Sequence, residues 1–210
     1  MAADAQRIKR GRSIDTITDT RREKLAGVLR RRQQDAALVV ENVWDPHNVA
    51  AILRTADAVG IQDVHLLYHV EKLPNVRRIG KQSSASANKW LSFHVHDSVE
   101  ACVAALRAGG YSICVSHLTT RSVPLYEIDA TGKHAFVVGN ESRGVSDELL
   151  AAADVVYHIP MMGMVQSLNV SVATAVTLYE VLRQRLAAGL YDRPADEDRV
   201  RERLEDWARK

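Results

Sequence analysis

The chain is poor in cysteine and has no long apolar run, and both features limit what it can be. It contains only two cysteines, Cys102 and Cys114, which form no CxxC pair and no disulfide framework. Both lie in apolar patterns, which predicts small buried side chains. The first residues, MAADAQRIKRGRS, lack the apolar core of a signal peptide. Since no apolar run reaches the length that spans a bilayer, we expect a cytoplasmic protein with no membrane contact.

The common nucleotide, hydrolase and metal motifs are also missing. The segment GNESRGVS has the glycine spacing of a P-loop, but Val145 stands where the phosphate-binding lysine must be. No GxGxxG follows a predicted strand, and no GxSxG occurs. His94 and His96 would share one face of a predicted strand, but no third ligand lies near them in the sequence. This favours edge or surface histidines, and we expect no metal.

The net charge of +2 is mild, but the charges are unevenly distributed. Composition alone therefore does not indicate nucleic-acid binding. The first part of the chain is rich in basic residues, namely Arg7, Lys9, Arg10, Arg12, Arg21, Arg22, Lys24, Arg30, Arg31 and Arg32. This run fits either a solvated helix face or an arm that binds phosphates. The charge pattern by itself favours neither interpretation.

Strand-like and helix-like apolar patterns alternate along the chain. Segment 37–43, ALVVENV, is rich in β-branched residues and predicts a strand, whereas segments 48–60 and 168–188 have helical patterns. The alternation predicts an α/β fold, with a mostly parallel sheet flanked by helices on both faces. We expect three parts: a basic N-terminal arm and helix (1–36), a main domain (37–188) and a C-terminal helical extension (189–210). The polar segment 69–88 predicts a long surface loop with a functional role.

Three segments carry polar residues next to predicted strands: ENVWDPHNVAAILRTADAVG, FVVGNESRGVSDELL and IPMMGMVQSLNVSVATAVTLYE. In open α/β sheets, ligands bind at the carboxyl ends of the strands. Asn48 fits a helix N-cap, and Arg54 is a lone charge in an apolar helix that could be a surface or salt-bridged residue. Glu141 could form a structural pair with Arg143. Asn169 lies at a helix start, where free backbone amides gather.

Together, and in this order, these segments resemble the three motifs of the SPOUT-class RNA 2′-O-methyltransferases, and most closely the TrmH subfamily. The resemblance implies that 37–188 is a SPOUT methyltransferase domain with a C-terminal trefoil knot, in a homodimer whose partner's Arg54 region completes each site. The implied cofactor is S-adenosylmethionine, held by Ser116, Gly139, Ile159, Met161 and Leu168. The implied catalytic group consists of Asn48, Arg54, Glu141, Ser167 and Asn169.

The TrmH resemblance also implies a reaction and a substrate. A methyl group would move from S-adenosylmethionine to the ribose 2′-hydroxyl of the D-loop guanosine at tRNA position 18. Arg54 could act as a base, but a guanidinium with a pKa above about 12 is better suited to remain charged and stabilise an alkoxide. The implied RNA-binding residues are Arg21, Arg22, Arg30, Arg31 and Arg32. The chain differs from close relatives in the loop GKQSSASAN, so ribosomal RNA, or a non-catalytic RNA-binding role, stays an alternative.

Overall fold

The computed structural model describes residues 17–75 and 87–210, and the chain divides into two compact units. The larger unit spans Arg32–Arg193, and the smaller combines Met1–Arg31 with Pro194–Lys210. The basic residues before position 17, and residues 76–86 of the predicted surface loop, lie outside the described residues. Within the described ranges, no helix is both long and apolar enough to cross a membrane.

The larger unit is built on a single seven-stranded sheet. Its strands are β1 (Gln33–Glu41), β2 (Ile61–Leu67), β3 (Ser92–His96), β4 (Ser112–Ser116), β5 (Val123–Pro124), β6 (His134–Val138) and β7 (Val155–His158). Their order is β3-β2-β1-β6-β4-β7-β5, and all neighbouring strands run parallel. Four helices accompany the sheet: α2 (Pro46–Ala58), α3 (Val99–Ala108), α4 (Asp147–Ala151) and α5 (Val170–Ala187).

Helices cover both faces of the sheet, because alternate residues of β1 point in opposite directions. Leu38 and Val40 belong to a buried cluster that includes residues of α2 and α5. Ala37 and Val39 belong to a second cluster, with residues of α3 and α4. A parallel sheet requires such double cover. The predicted α/β class, with a parallel sheet flanked by helices, is therefore confirmed. The C-terminal trefoil knot stays a prediction.

The strand β1 begins at Gln33 and not at residue 37, because its polar first residues are satisfied inside the unit. Gln33 Oε1 accepts a 2.9 Å hydrogen bond from Nε of Arg185, a side chain that is only 1% exposed. The Arg185 guanidinium also pairs with Asp35 and donates to the Gly132 carbonyl over 3.0 Å. Buried polar groups are tolerated when they are paired in this way. A pattern based on apolar residues therefore missed the start of the strand.

Arg32 is an internal residue, contrary to the expectation that it binds RNA. It is 7% exposed, its guanidinium pairs with the Asp57 carboxylate, and it donates to the Ile61 carbonyl over 2.9 Å. Removing an arginine from buried acceptors leaves those acceptors unsatisfied, which is costly. Arg32 therefore fits an internal ion pair and not a phosphate contact.

The smaller unit contains two helices, α1 (Asp19–Arg30) and α6 (Glu197–Ala208), which pack on each other. The last helix is amphipathic, since Val200, Leu204 and Trp207 lie at helical spacing and are all buried. Arg30 donates two hydrogen bonds, of 2.8 and 3.0 Å, to the carboxylate of Glu197. Both side chains are about half exposed, so this pair contributes little to stability.

Candidate functional site

A cavity of about 650 Å³ opens at the carboxyl ends of three adjacent strands of the sheet. The last residues of β4, β6 and β7, which are Ser116, Val138 and His158, all lie on its wall. Two loops complete the wall, one at 139–144 after β6 and one at 159–168 between β7 and α5. This is the edge of a parallel sheet at which ligands bind.

The loop after β6 is a closed turn that requires glycine at position 139. A Cβ atom on Gly139 would lie 2.3 Å from the carbonyl carbon and oxygen of Gly144. Two backbone hydrogen bonds of 2.9 Å join Asn140 and Gly144, and Gly144 has a φ of +71°. Glycine is the residue that tolerates both the close approach and the left-handed conformation.

Asn140 holds this turn in place, a role that the sequence analysis missed. Its side-chain oxygen accepts hydrogen bonds from the backbone amides of Ser142 and Arg143, at 2.9 and 3.1 Å. Its amide nitrogen donates to the Asn42 carbonyl over 2.7 Å. Asparagine commonly bonds to backbone amides two and three residues later. This preference, together with the preceding Gly139, was the available signal.

The cavity wall includes seven of the ten residues that the resemblance assigned to cofactor and catalysis. These are Ser116, Gly139, Glu141, Ile159, Met161, Ser167 and Leu168. The wall also includes residues that the sequence analysis did not single out for the cavity, among them His117, Asn140, Arg143 and His158. Asn48, Arg54 and Asn169 do not line it.

Asn48 and Asn169 are nevertheless connected to the wall by a chain of hydrogen bonds. Asn48 Nδ2 donates to Glu141 Oε1 over 2.9 Å, and Asn169 Nδ2 donates to Asn48 Oδ1 over 3.1 Å. The same Glu141 carboxylate accepts from the backbone amides of Trp44 and Asp45, at 3.1 and 3.2 Å. Residues from all three sequence motifs therefore take part in a single polar network.

The charge of Glu141 is stabilised by this network. Burial alone would raise the pKa of its carboxyl, but the hydrogen bonds from Asn48 and from the amides of Trp44 and Asp45 outweigh that effect. They hold the pKa of Glu141 below its ordinary value of 4.5. The cavity therefore has an anionic group on its wall at neutral pH.

One local expectation at the site was wrong, one open alternative is not realised, and one expectation was confirmed. The N-cap of α2 is Asp45, which accepts from the His47 amide at 2.8 Å, and not Asn48. Glu141 does not pair with Arg143, which bonds instead to Glu71 at 2.6 Å. Asn169 lies at a helix start as expected, and it is the cap of α5, since Asn169 Oδ1 accepts from the Ser171 amide at 2.9 Å. The Asn48 side chain is thereby left for Glu141 and Asn169.

Arg54 lies on α2, the helix that also carries Asn48, and its side chain is exposed. Since α2 rises about 1.5 Å per residue, Arg54 lies roughly 9 Å further along the axis than Asn48. The structure brings the other four predicted catalytic residues to the cavity or its hydrogen-bond network, but it does not place Arg54 on that wall.

Sequence comparison relates the chain to a group of RNA methyltransferases. Residues 35–179 match the SpoU rRNA Methylase family, and this range lies within the larger unit. The chain is 43% identical over 194 residues to a tRNA (guanosine(18)-2′-O)-methyltransferase of Thermus thermophilus. The aligned region covers 92% of this chain and 98% of the Thermus protein.

Comparison with solved structures identifies RNA-modifying enzymes that share this fold. The A. aeolicus TrmH/SpoU tRNA modifying enzyme is similar with a TM-score of 0.83 and 37% identity, over 90% of this chain and 95% of that one. An AdoMet-bound rRNA methyltransferase from Sinorhizobium meliloti is similar with a TM-score of 0.66 and 26% identity. That similarity covers 75% of this chain and 59% of the Sinorhizobium chain. The fold is thus shared with enzymes named for both kinds of RNA.

Proposed function

Because the chain belongs to the SpoU rRNA methylase family, we propose that it methylates the ribose 2′-hydroxyl of guanosine 18 in the D-loop of tRNA. The relative from Thermus thermophilus is named for this reaction and matches nearly the whole chain. The observation that carries the proposal is the hydrogen-bonded network of Glu141, Asn48 and Asn169 beside the cavity. It joins all three motif segments at one place.

The cavity suits S-adenosylmethionine as the methyl donor. Its volume of about 650 Å³ is within the usual range for small-molecule sites. Ile159, Met161 and Leu168 offer apolar surface for a purine ring, and Ser116 and Glu141 offer polar groups for a sugar and a cationic end. This mixture of donors and apolar walls fits the group. When bound, S-adenosylmethionine supplies a methyl group on a positively charged sulfur.

The side chains around the cavity position the substrate. The carboxylate of Glu141 orients the amide of Asn48 and the first turn of α2. Asn169 orients the other side of Asn48 and begins α5. Ser167 is exposed on the cavity wall and can hydrogen-bond to RNA or cofactor. Such pre-arranged polar groups lower the cost of ordering the reactants.

Arg54 acts as a fixed positive charge. A guanidinium is too weak an acid to give up its proton in proteins. It therefore stabilises the negative charge that develops on the 2′-oxygen and binds an adjacent phosphate. The 2′-hydroxyl proton leaves to solvent or to the RNA, not to Arg54.

The active form is a homodimer, and its contact includes the exposed face of α5. Val172, Tyr179 and Leu186 are about half exposed and lie seven residues apart, on one side of that helix. The preceding loop exposes Met162 and Met164 almost completely, at 95% and 99%. A second copy of the chain covers this apolar surface, since two-fold contacts join identical patches.

In this dimer each cavity receives Arg54 from the other protomer. Arg54 does not line the cavity of its own chain, whereas Glu141 does. Mixing Arg54→Ala with Glu141→Ala protein tests this arrangement, because each variant lacks a different component. Heterodimers with one intact site should restore up to about a quarter of wild-type activity at equal mixing. If both residues act in the same protomer, the mixture stays inactive.

The dimer contact itself is tested by one substitution on α5. Tyr179→Glu should shift the protein toward monomers in sedimentation velocity and reduce methyl transfer, because it places a charge in an apolar contact. Val95→Glu is the control, since Val95 is similarly exposed, at 57%, but lies on the edge strand β3. Equal behaviour of the two variants would contradict a contact through α5.

The tRNA is held by arginines of the smaller unit, Arg21, Arg22, Arg30 and Arg31. Arg30 can exchange Glu197 for a phosphate, because that ion pair is exposed. Phosphate contacts release counterions, so tRNA affinity should fall steeply with salt. Arg32 is not part of this group, since it is buried against Asp57.

The function is tested by transfer of labelled methyl from S-adenosylmethionine to unmodified tRNA transcripts, with mapping of the labelled nucleotide. We expect label on guanosine 18, and none on a transcript that carries 2′-deoxyguanosine at that position. Label on the deoxy transcript would show that another atom is the acceptor.

Ribosomal RNA is the second candidate substrate, because the AdoMet-bound Sinorhizobium relative is named an rRNA methyltransferase. Ribosomal RNA fragments are therefore included in the same assay. Label on these fragments but not on tRNA would keep the reaction and change the substrate. If neither RNA is labelled and S-adenosylmethionine does not bind, a non-catalytic RNA-binding role remains.

A further inference from the structure

Two histidines and a cysteine meet near the β3 edge of the sheet, whereas the cavity lies at the ends of β4, β6 and β7. His65 on β2 is paired in register with His94 on β3, and His96 follows on the same face. His65 Nδ1 lies 2.9 Å from His96 Nε2, and the two rings are nearly parallel, with centroids 5.2 Å apart. Cys102, on α3, brings its Sγ within 4.8 Å of the histidine ligand atoms.

No third metal ligand lies near His94 and His96 in the sequence, but the fold brings two further ligands, His65 and Cys102, to His96. His65 comes from the neighbouring strand and Cys102 from the helix packed above it. The cluster that results differs from the pair considered first. His96 belongs to it, whereas His94 lies beside it and bonds to Asp63 over 3.0 Å.

The three side chains provide the atoms that zinc prefers. Imidazole nitrogens bind Zn²⁺ at about 2.0–2.1 Å and a thiolate binds at about 2.3 Å. A tetrahedral ion then separates its ligand atoms by about 3.3–3.6 Å. The observed separations, from 2.9 Å to at most 4.8 Å, bracket this range, so small side-chain rotations suffice. We propose that His65, His96 and Cys102 form a zinc site.

The surroundings of the cluster suit a cation. Asp63, Asp97 and Glu41 are close enough to act electrostatically on His65, His96 and Cys102, respectively. On binding, the Cys102 thiol proton leaves to solvent as the sulfur–metal bond forms. The site then carries one net positive charge, which the carboxylates offset.

The zinc would stabilise the fold and take no part in methyl transfer. The cavity lies at the ends of β4, β6 and β7, while the cluster lies on β2 and β3, with β1 between them. A metal here joins the edge strand β3 and its neighbour β2 to α3. His96 is only half-buried, so water can occupy the fourth position that three protein ligands leave open.

The test uses full-length protein treated with a chelator and then titrated with Zn²⁺ or Co²⁺ alone. We expect one metal ion per chain by elemental analysis, a thiolate-to-cobalt charge-transfer band, and a higher Tm with Zn²⁺. Cys102→Ala should abolish the band, and His96→Gln should weaken binding by more than about tenfold. The Tm measurement needs no variant, so it stays informative if a variant folds poorly.

Two matched variants control for other ligands. Cys114→Ala removes the other buried cysteine, and His94→Gln removes the neighbouring histidine that bonds to Asp63. Both should keep the cobalt band and the stoichiometry. If wild-type protein binds no stoichiometric metal, or if Cys102→Ala binds it unchanged, the cluster is a hydrogen-bonded histidine pair beside a buried thiol and the proposal fails.

Discussion

Replacing Gly139 by alanine tests whether the turn after β6 shapes the cavity. The new Cβ would meet the backbone of Gly144 at 2.3 Å and the Val145 nitrogen at 2.4 Å, and backbone cannot move aside as a flexible side chain can. Overpacking of this kind costs about 1–3 kcal/mol. For a protein of this size, each kcal/mol lowers Tm by about 2–4 °C, so we expect a fall of roughly 2–12 °C.

The same substitution should reduce activity beyond its effect on stability. The turn carries Glu141, and displacement of such a group can cost on the order of 100-fold in rate. Gly163→Ala is the matched control, since Gly163 also lines the cavity but its Cβ would meet nothing within 4 Å. Thermal unfolding gives the Tm of each variant. Methyl transfer is then measured at a temperature at which both variants are folded. A Gly139→Ala protein with wild-type Tm would refute the steric argument.

Substitutions at three further positions, Arg54, Glu141 and Arg185, test other parts of the molecule. Arg54→Ala should abolish methyl transfer while S-adenosylmethionine still binds in calorimetry. Arg54→Lys should leave the pH–rate profile unchanged, whereas the profile would shift if position 54 were the base. Glu141→Gln should be less stable than wild type at neutral pH, and denaturant titrations should show the gap closing below pH 4.5, because a carboxylate with a lowered pKa stabilises only while ionised. Arg185→Met should destabilise by about 3–5 kcal/mol, since it strands Asp35 and buried carbonyls, whereas Arg183→Ala, at an exposed position, should change the free energy of unfolding little.

The sheet was predictable because its strands are buried on both sides. A strand such as β1 then contains consecutive apolar residues from Leu38 to Val40, and local patterns detect these well. The start of β1 was not predictable in the same way. Gln33 is polar in sequence and buried in the fold, because Arg185 reaches it from a distant helix. Such pairings depend on tertiary structure and leave no local signal.

Capping at the first motif depends on a signal that the sequence contains but that residue type alone does not reveal. Asp45 and Asn48 are both good N-cap residues, so residue type alone does not choose between them. Pro46 does, because proline is favoured at the first position of a helix. The helix starts there, and Asp45 is the cap. With the cap assigned to Asp45, the side chain of Asn48 is available for the site.

Arginines show most clearly why sequence cannot assign every role. Arg31 and Arg32 are adjacent and both belong to the basic run, yet Arg31 is exposed and Arg32 is buried against Asp57. A run of charged residues predicts a common role for its members, but here one arginine is exposed and its neighbour is buried in an ion pair. The three motif segments do share a role, as predicted from their sequence. Asn48, Glu141 and Asn169 come from different segments and join one hydrogen-bonded network.

The polar start of the last motif has two distinct physical explanations. Asn169 is satisfied within the protein, where it caps α5 through Ser171 and orients Asn48. Ser167 is exposed on the cavity wall, so its hydroxyl is available to a ligand. Loss of Asn169 therefore affects both folding and the site, because one side chain stabilises the helix and positions Asn48. Loss of Ser167 bears on the ligand alone. The same short segment thus combines a helix start with a binding surface, which explains why polar residues interrupt an apolar sequence there.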